Sequence, residues 1–179
     1  MNRGSRNLVL LGAMFCCLNA PMAMAGPQQD TEAGEAAFHR GDLMAAMALW
    51  RQAAQAGYAP AQVRLAATLD DAEEDQEAVQ WYRKASEQGS VAGEYGLGLM
   101  YLKGEGVAKD DEKARFHILR AANRNHVPAM RVMMELHQSG GAGLPVDQAE
   151  AGRWEDRMYA VTGQSKPVPT PVSKAEKKK

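Results

Sequence analysis

Cysteine and aromatic residues are scarce in this chain of 179 residues. Its two cysteines, Cys16 and Cys17, lie within the first 25 residues, and aromatic residues make up 6% of the sequence. The 154 residues after position 25 therefore have no thiol for a disulfide bond or a cysteine metal site, so packing alone must stabilise their fold. Alanine, leucine and methionine are abundant instead, which favours helices over sheets.

The first 25 residues have the three parts of a secretory signal peptide. Arg3 and Arg6 give a positive start, residues 8–18 form an apolar run, and residues 23–25 (Ala-Met-Ala) supply a cleavage site with two small residues. We therefore expect cleavage near Gly26 and a periplasmic or secreted location. The apolar run is too short to cross a bilayer, so stable membrane insertion is not expected.

Charge and composition divide residues 26–179 into an acidic folded part and a proline- and lysine-rich tail. Residues 26–165 carry 14 lysines and arginines against 21 aspartates and glutamates, a net charge of −7, which argues against nucleic acid as a partner. Alternating prolines and a lysine-rich end predict a disordered tail over residues 163–179. The polar segment 26–32 is also predicted to be disordered, which leaves residues 33–162 as the folded domain.

Residues 93–126 form the clearest of several repeated units. An apolar helical segment leads to the turn glycines Gly104 and Gly106, and Asp110 then stands where a helix cap belongs, ahead of a second helical run. Each unit is thus a helix, a glycine turn and a helix. Such a pair cannot bury its apolar faces alone, so it needs neighbouring copies.

Equivalent residues recur along the chain at the spacing of helical hairpin repeats. The turn and cap of the third unit match those of the fourth at identical internal spacing, in the sets Gly106, Asp110, Ala114 and Gly143, Asp147, Ala151. Two more sets recur at intervals of 32 and 36 residues: Ala53, Ala85, Ala121 and Gly57, Gly89, Asn125. The pattern predicts four helix pairs, of which the first is abbreviated.

The repeated pattern A-x-x-x-L-G-x-x-Y-x-x-G-x-G-V-x-x-D-x-x-K-A-x-x-W-Y-x-K-A-A-x-x-G resembles the Sel-1-like repeat family, a branch of the tetratricopeptide superfamily. In the third copy it is carried by Leu97, Gly98, Tyr101, Gly104, Gly106, Val107, Asp110, Lys113 and Ala114. In the second copy it is carried by Ala78, Trp81, Tyr82, Lys84, Ala85 and Gly89. The second copy departs from the pattern, since residues 70–75 (Asp-Asp-Ala-Glu-Glu-Asp) stand in place of the G-x-G-V turn. The third copy has His117-Ile118 in place of the aromatic pair, and the fourth has Met133-Met134 in place of Leu-Gly. The resemblance implies an all-α fold, a right-handed α/α superhelical solenoid of about four helix-turn-helix repeats that binds protein segments.

No motif for catalysis or for a bound metal is found in the sequence. The four histidines lack metal-ligand spacing, no serine lies in a G-x-S-x-G motif, and the paired glycines follow no strand. The acidic run at 70–77 lacks the glycine and terminal glutamate of a calcium loop, and we interpret it as a solvated loop that leads into a helix. We therefore predict no catalytic residue, no cofactor and no metal ion.

These features indicate a non-enzymatic protein–protein interaction scaffold or adaptor in the bacterial cell envelope. Related folds place the first helix of each pair on the concave side, where we expect a peptide or protein segment to bind. The candidate contact residues on these helices are Arg64, Glu94, Leu97, Tyr101, Arg131 and His137.

Two alternatives to an adaptor stay open. One is a structural or regulatory subunit of an envelope complex, tethered by the proline- and lysine-rich tail. The other is a β-lactam-binding or β-lactam-hydrolysing enzyme of the exported cysteine-rich Sel-1-like type. The missing cysteine pairs and the lack of a Ser-x-x-Lys motif argue against that enzyme. The sequence does not predict the oligomeric state or the identity of the partner.

Overall fold

The computed structural model describes residues 26–166, which fold into eight α-helices with no strand among them. The helices are α1 (Pro27–His39), α2 (Leu43–Gln55), α3 (Ala59–Asp71), α4 (Asp75–Glu87), α5 (Val91–Lys103), α6 (Asp111–Asn123), α7 (Val127–Ser139) and α8 (Gln148–Thr162). None of these eight has the length and apolarity needed to cross a membrane. The predicted signal peptide (1–25) and most of the predicted tail (167–179) lie outside the described residues.

Caps and turns fall where the repeat pattern predicts them. The side chains of Asp42, Asp110 and Asp147 each accept a hydrogen bond from the backbone N–H three positions on, at 2.9 to 3.0 Å. Each bond satisfies a donor that a helix start leaves unpaired. Asn125 takes the left-handed backbone, with φ 65°, that Gly89 takes in the preceding repeat. The alignment of repeats is therefore confirmed at both caps and turns.

Consecutive helices pack as hairpins, α1 with α2, α3 with α4, α5 with α6, and α7 with α8. Helix α3, the first helix of its pair, also contacts the first helices of the neighbouring pairs, α1 and α5. Within residues 26–166 the second helices of neighbouring pairs make fewer backbone contacts with one another than these first helices do. The first helices α1, α3 and α5 therefore form an inner layer, which α7 continues because Tyr95 of α5 packs in one apolar cluster with Met130 of α7. The second helices (α2, α4, α6, α8) form an outer layer. The prediction of an all-α solenoid of four helix-turn-helix repeats is confirmed.

Alanine at the helix contacts lets the two layers approach closely. The aligned residues Ala53, Ala85 and Ala121 are all fully buried. Larger buried side chains fill the remaining space, among them Trp50, Leu65, Met100, Ile118 and Met130. Burial of apolar surface contributes roughly 25 cal/mol per Å², which outweighs helix propensities of about 0.5 kcal/mol per residue. Stability therefore depends mainly on contacts between helices and between repeats.

Gly96 of α5 lies directly against the ring of Tyr82 of α4. A methyl group added at Gly96 would overlap three carbons of that ring. Burial in this contact raises the pKa of the Tyr82 phenol. The missing side chain at Gly96 is therefore what lets the third repeat pack closely on the second.

The N-terminal segment 26–32 is helical, which corrects the prediction of disorder. Helix α1 begins at Pro27, and both Asp30 and Thr31 are buried. Nε2 of Gln52 donates to Oδ2 of Asp30 at 3.0 Å, and the indole N–H of Trp50 donates to the Thr31 carbonyl at 3.3 Å. The polar composition is typical of a frayed end, but α2 supplies the partners that these polar groups need once they are buried.

Lys166 marks the end of the described chain, beyond α8. Its ammonium group pairs with Glu155 at 2.7 Å and with Asp156 at 2.8 Å. The described residues that follow Thr162 therefore turn back along α8. Because Lys166 and Asp156 are exposed, these pairs contribute little to stability.

Candidate functional site

Two of the six candidate contact residues, Glu94 and Leu97, are buried. Glu94 is 1% exposed, and its carboxylate lies 2.6 Å from Nδ1 of His117 and 3.0 Å from Nη1 of Arg120. Leu97 is 3% exposed and belongs to the apolar core of the first three repeats. Neither side chain is accessible to a partner, which corrects the prediction for these two residues. Both point into the packing between helices instead of toward the inner surface.

Arg64 and Arg131 lie on exposed faces of the inner layer. Nε of Arg64 pairs with Oε1 of Glu35 at 2.5 Å, and Arg64 lines a groove of about 260 Å³ between α1 and α3 together with Phe38. Arg131 is exposed on α7 and lies near Tyr95 of α5. Burial raises the pKa of Tyr95, and the positive charge of Arg131 opposes that rise. Both arginines are accessible to a partner.

Tyr101 and His137 hold the same position, the eleventh, in α5 and α7, and both face the outer layer. The ring of Tyr101 stacks on His117 of α6, with 5.9 Å between centroids and 6° between planes. His137 lines a groove between α6 and α8. The accessible candidates therefore lie on two sides of the solenoid, and the six residues do not form one concave contact surface.

The groove between α6 and α8 is called the terminal groove here. It has a volume of about 370 Å³, and α7 forms its floor. Its lining residues are Glu112, Arg115, Phe116, Leu119, Met133, His137, Leu144, Glu150 and Trp154.

Exposed apolar side chains border the terminal groove. Phe116 is 55% exposed and Leu119 is 37% exposed, both on α6. Met133 and Trp154, which line the groove below them, are buried. Large apolar side chains that cluster at a concave surface mark a site for another apolar group.

Two polar atoms in the wall of the terminal groove lack hydrogen-bond partners within residues 26–166. They are the indole Nε1 of Trp154 and Nδ1 of His137. Buried polar atoms are almost always paired, because an unpaired one costs about 1–3 kcal/mol. Both atoms are covered by the protein, so a bound group could reach them only if the side chains around them moved.

The rim of the terminal groove carries charges of both signs, but its arginines are engaged. The guanidinium of Arg115 donates to the carbonyl of Ala142 in the turn before α8. Glu150 pairs with Arg153 of its own helix, and the side chain of Arg153 is 73% exposed. Glu112 forms no ion pair in the described part of the chain. The carboxylates of Glu112 and Glu150 can therefore pair with a cation of a bound partner.

The acidic run lies at an edge of the solenoid, where α3 ends and α4 begins. Asp70, Asp71 and Asp75 line a shallow cleft there together with Lys103. Burial raises the pKa of Asp70, while the nearby ammonium of Lys103 opposes this rise. Within residues 26–166 no group of three or more ligand side chains is placed to hold a metal ion.

Phe116, Leu119 and Trp154 are not among the contact residues predicted from the sequence. Periodicity assigns Trp154 to a core face, as it does Ile118, whereas Phe116 lies on the opposite side of α6 from Ile118. The available signal was Leu119, which takes a position held by Arg51 and by an arginine in the second repeat. An apolar residue at a position that is charged in the other repeats, with Asp156 in the fourth, indicates a surface used for binding.

Comparison with known proteins identifies the repeats. The model of the Sel1 repeat matches residues 34–58, 59–90 and 91–126, so 93 of the 179 residues are covered. The fourth helix pair lies outside these matches. A search of curated proteins returns no match.

Solved structures that share the fold include the following three. A Sel1 repeat protein from Oxalobacter formigenes is 25% identical, with a TM-score of 0.66 over 77% of this chain and 42% of its own. A protective antigen of uropathogenic Escherichia coli with an SLR fold is 27% identical, with a TM-score of 0.66 over 75% of this chain and 30% of its own. A Sel1 repeat protein from Klebsiella pneumoniae subsp. pneumoniae is 22% identical, with a TM-score of 0.63 over 76% and 68% of the two chains, and shows the fold alone.

The chain thus spans less than half the length of the first two of these structures. Sel1 repeats generally mediate protein–protein interactions, and their fold is typically a non-enzymatic scaffold. Since the repeat model covers more than half of the residues and the helix pairs continue through α8, the chain belongs to the Sel1 repeat family.

Proposed function

We propose that this protein is an exported, non-enzymatic interaction scaffold of the bacterial cell envelope that binds an extended segment of a partner protein in the terminal groove. The observation that carries the proposal is the exposure of Phe116 and Leu119 beside a groove lined by Met133 and Trp154. Full burial of such a side chain from water contributes roughly 1.5–3 kcal/mol, and a partner that covers Phe116 and Leu119 gains the part of this that belongs to their exposed surface. Two such anchors near the centre of a contact are enough to act as binding hot spots.

The terminal groove is favoured over the inner groove at Arg64. In the inner groove, Arg64 is already paired with Glu35, and the indole N–H of Trp50 donates to a backbone carbonyl. In the terminal groove the indole of Trp154 has no acceptor in the described chain. Because this nitrogen is buried, the difference that favours the terminal groove is Glu112, which forms no ion pair in the described residues and can pair with a cation of the partner.

The location in the envelope rests on the signal peptide expected at residues 1–25. A fusion of the full chain to alkaline phosphatase, which is active only after export, tests it. We expect phosphatase activity that is lost when Arg3, Arg6 and the apolar run are deleted. Activity that survives this deletion would contradict export by this segment.

Site-specific cross-linking tests the binding site. A photoreactive phenylalanine analogue replaces Phe116, and a matched control replaces Met44, which is 80% exposed on α2 and far from the groove in the repeat order. We expect a discrete partner adduct from position 116 and none from position 44 in illuminated envelope fractions. In parallel, Phe116→Ser with Leu119→Ser is expected to lose the partner while the melting temperature stays within a few degrees.

Three results would contradict the proposal. Capture of the same partner by the doubly substituted chain would remove the terminal groove as the binding site. Phe38→Ser serves as the inner-groove counterpart, and loss of the partner in that variant alone would move the site to α1 and α3. Turnover of a chromogenic β-lactam by the purified chain would favour the enzymatic alternative.

A further inference from the structure

Three outer grooves separate the four second helices, and equivalent residues face each other across them. The ninth residue of the preceding helix is Arg51 in α2, Arg83 in α4 and Leu119 in α6. The third residue of the following helix is Glu77 in α4, Lys113 in α6 and Glu150 in α8. The contacts at these positions differ from groove to groove.

The first outer groove is closed by an ion pair. The guanidinium of Arg51 reaches the two carboxylate oxygens of Glu77 at 2.5 and 3.4 Å. Glu77 also accepts a hydrogen bond from Nε1 of Trp81 at 3.0 Å. The bond from Trp81 and then that from Arg51 lower the pKa of Glu77, so the carboxylate stays ionised. The cation, the carboxylate and the indole N–H form one satisfied cluster.

The middle outer groove has like charges at these positions, Arg83 and Lys113. Lys113 turns away to Asp110 of its own repeat, at 2.9 Å. The hydrogen bond to Asp110 raises the pKa of Lys113, and the nearby Arg83 opposes the rise. No cluster of the first kind forms across this groove.

The terminal groove has the carboxylate and the indole of the first groove but lacks its cation. Glu150 and Trp154 stand four residues apart, as Glu77 and Trp81 do. Leu119 stands where Arg51 would supply the guanidinium, so Glu150 pairs only with the exposed Arg153 of its own helix. Such exposed pairs contribute about 1 kcal/mol or less and are easily exchanged. The indole of Trp154 is left without the acceptor that Trp81 has.

We propose that the terminal groove recognises a lysine or arginine side chain flanked by apolar residues in the bound segment. The cation takes the place on Glu150 that Arg51 takes on Glu77, and the flanking apolar side chains cover Phe116 and Leu119. Glu112 on the opposite wall adds a second carboxylate. This inference rests on the proposed function and specifies the chemistry of the partner.

Fluorescence anisotropy with two labelled nonapeptides tests the inference on the purified chain. One peptide has a central lysine flanked by leucine and valine, and the other has glutamate in place of the lysine. We expect the lysine peptide to bind about ten-fold more tightly, as suits a charge-assisted hydrogen bond at a partly shielded carboxylate. Glu150→Gln is expected to remove this preference, whereas Glu155→Gln, on the side of α8 that holds Lys166, is expected to keep it.

The possible results separate the inference from the proposed function. Equal affinities for the two peptides, both lost on Phe116→Ser, would overturn the charge preference while keeping apolar binding in the groove. Binding that appears only after removal of residues 167–179 would show that this basic tail is the occupant, and a concentration-dependent dimer lost in Glu150→Gln would show that a second copy is. Either of these results, or a preference that survives Glu150→Gln, overturns the inference.

Discussion

Nδ1 of His117 lies 2.6 Å from Oε2 of Glu94, a carboxylate that is 1% exposed between α5 and α6. Glu94 holds the fourth position of its helix, where α1 and α3 have the buried polar residues Asp30 and Gln62. In α7 the same position is Met130, which is fully buried. The repeats therefore accommodate either a paired polar group or an apolar side chain at one site.

We predict that Glu94→Ala lowers the free energy of unfolding by about 2–4 kcal/mol, because it leaves a cavity and removes the partner of His117 and Arg120. Glu94→Met, which copies Met130, is expected to cost about half as much, since it refills the space. Urea denaturation of both variants measures the difference. Equal losses would show that pairing, rather than packing, decides stability at this position.

Gly96→Ala is predicted to destabilise the protein by about 1–3 kcal/mol, because the added methyl group would overlap the ring of Tyr82 and force α4 and α5 apart. Gly152→Ala is the matched control, since Gly152 lies within a helix and has no atom within 4 Å of an added methyl group. There the change is expected to stabilise by roughly 0.5–1 kcal/mol through helix propensity. Thermal melts that move in the same direction would contradict this account.

Acid is predicted to destabilise the protein through His126. Burial lowers the pKa of this residue, whose ring lies 4.8 Å from that of Tyr95. The unfolded chain, in which a histidine titrates near pH 6.5, therefore binds the proton more tightly than the folded chain, so stability falls as the pH drops through about 6.5. The caps Asp110 and Asp147 have lowered pKa values and stay ionised in this window.

Calorimetric melts between about pH 7.5 and 5.5 measure the contribution of His126. We expect a smaller drop in melting temperature for His126→Gln than for the parent chain. His39→Gln, at an exposed position of α1, is the control and is expected to leave the drop unchanged. An undiminished drop in His126→Gln would assign the acid sensitivity to other groups.

Leu119→Arg is predicted to copy the Arg51–Glu77 pair in the terminal groove. A double-mutant cycle with Glu150→Gln is expected to give a coupling free energy of about 0.2–1 kcal/mol, as for other partly exposed pairs. Leu119→Gln, of similar length but neutral, is expected to give none. A coupling of zero for the arginine would show that the two positions do not face each other as they do in the first groove.

The helices and turns could be predicted because their signals are local. Asp110 and Asp147 cap helices as their spacing indicates, and Asn125 takes the backbone of the glycines that it replaces. Each of these signals depends on a few neighbouring residues. The number of repeats follows from such signals alone.

The exposed surface could not be predicted in the same way. Glu94 finds its partners His117 and Arg120 more than 20 residues later, so its burial depends on how the hairpin docks. Phe116 stands two residues from both Ala114 and Ile118, which places it about 200° around α6 from these core residues, and only the fold shows that it borders a groove. The polar segment at Asp30 was misjudged for the same reason, because its partners lie on α2.

Gly106, in the turn of the third repeat, sits so close to the backbone carbonyl of Asp75 that no side chain fits between them. Asp75 is the first residue of α4, so this turn rests on the second repeat. Bending between the second and third repeats would therefore have to separate Gly106 from Asp75. We expect that under mechanical load the terminal repeats unfold before the second and third repeats separate.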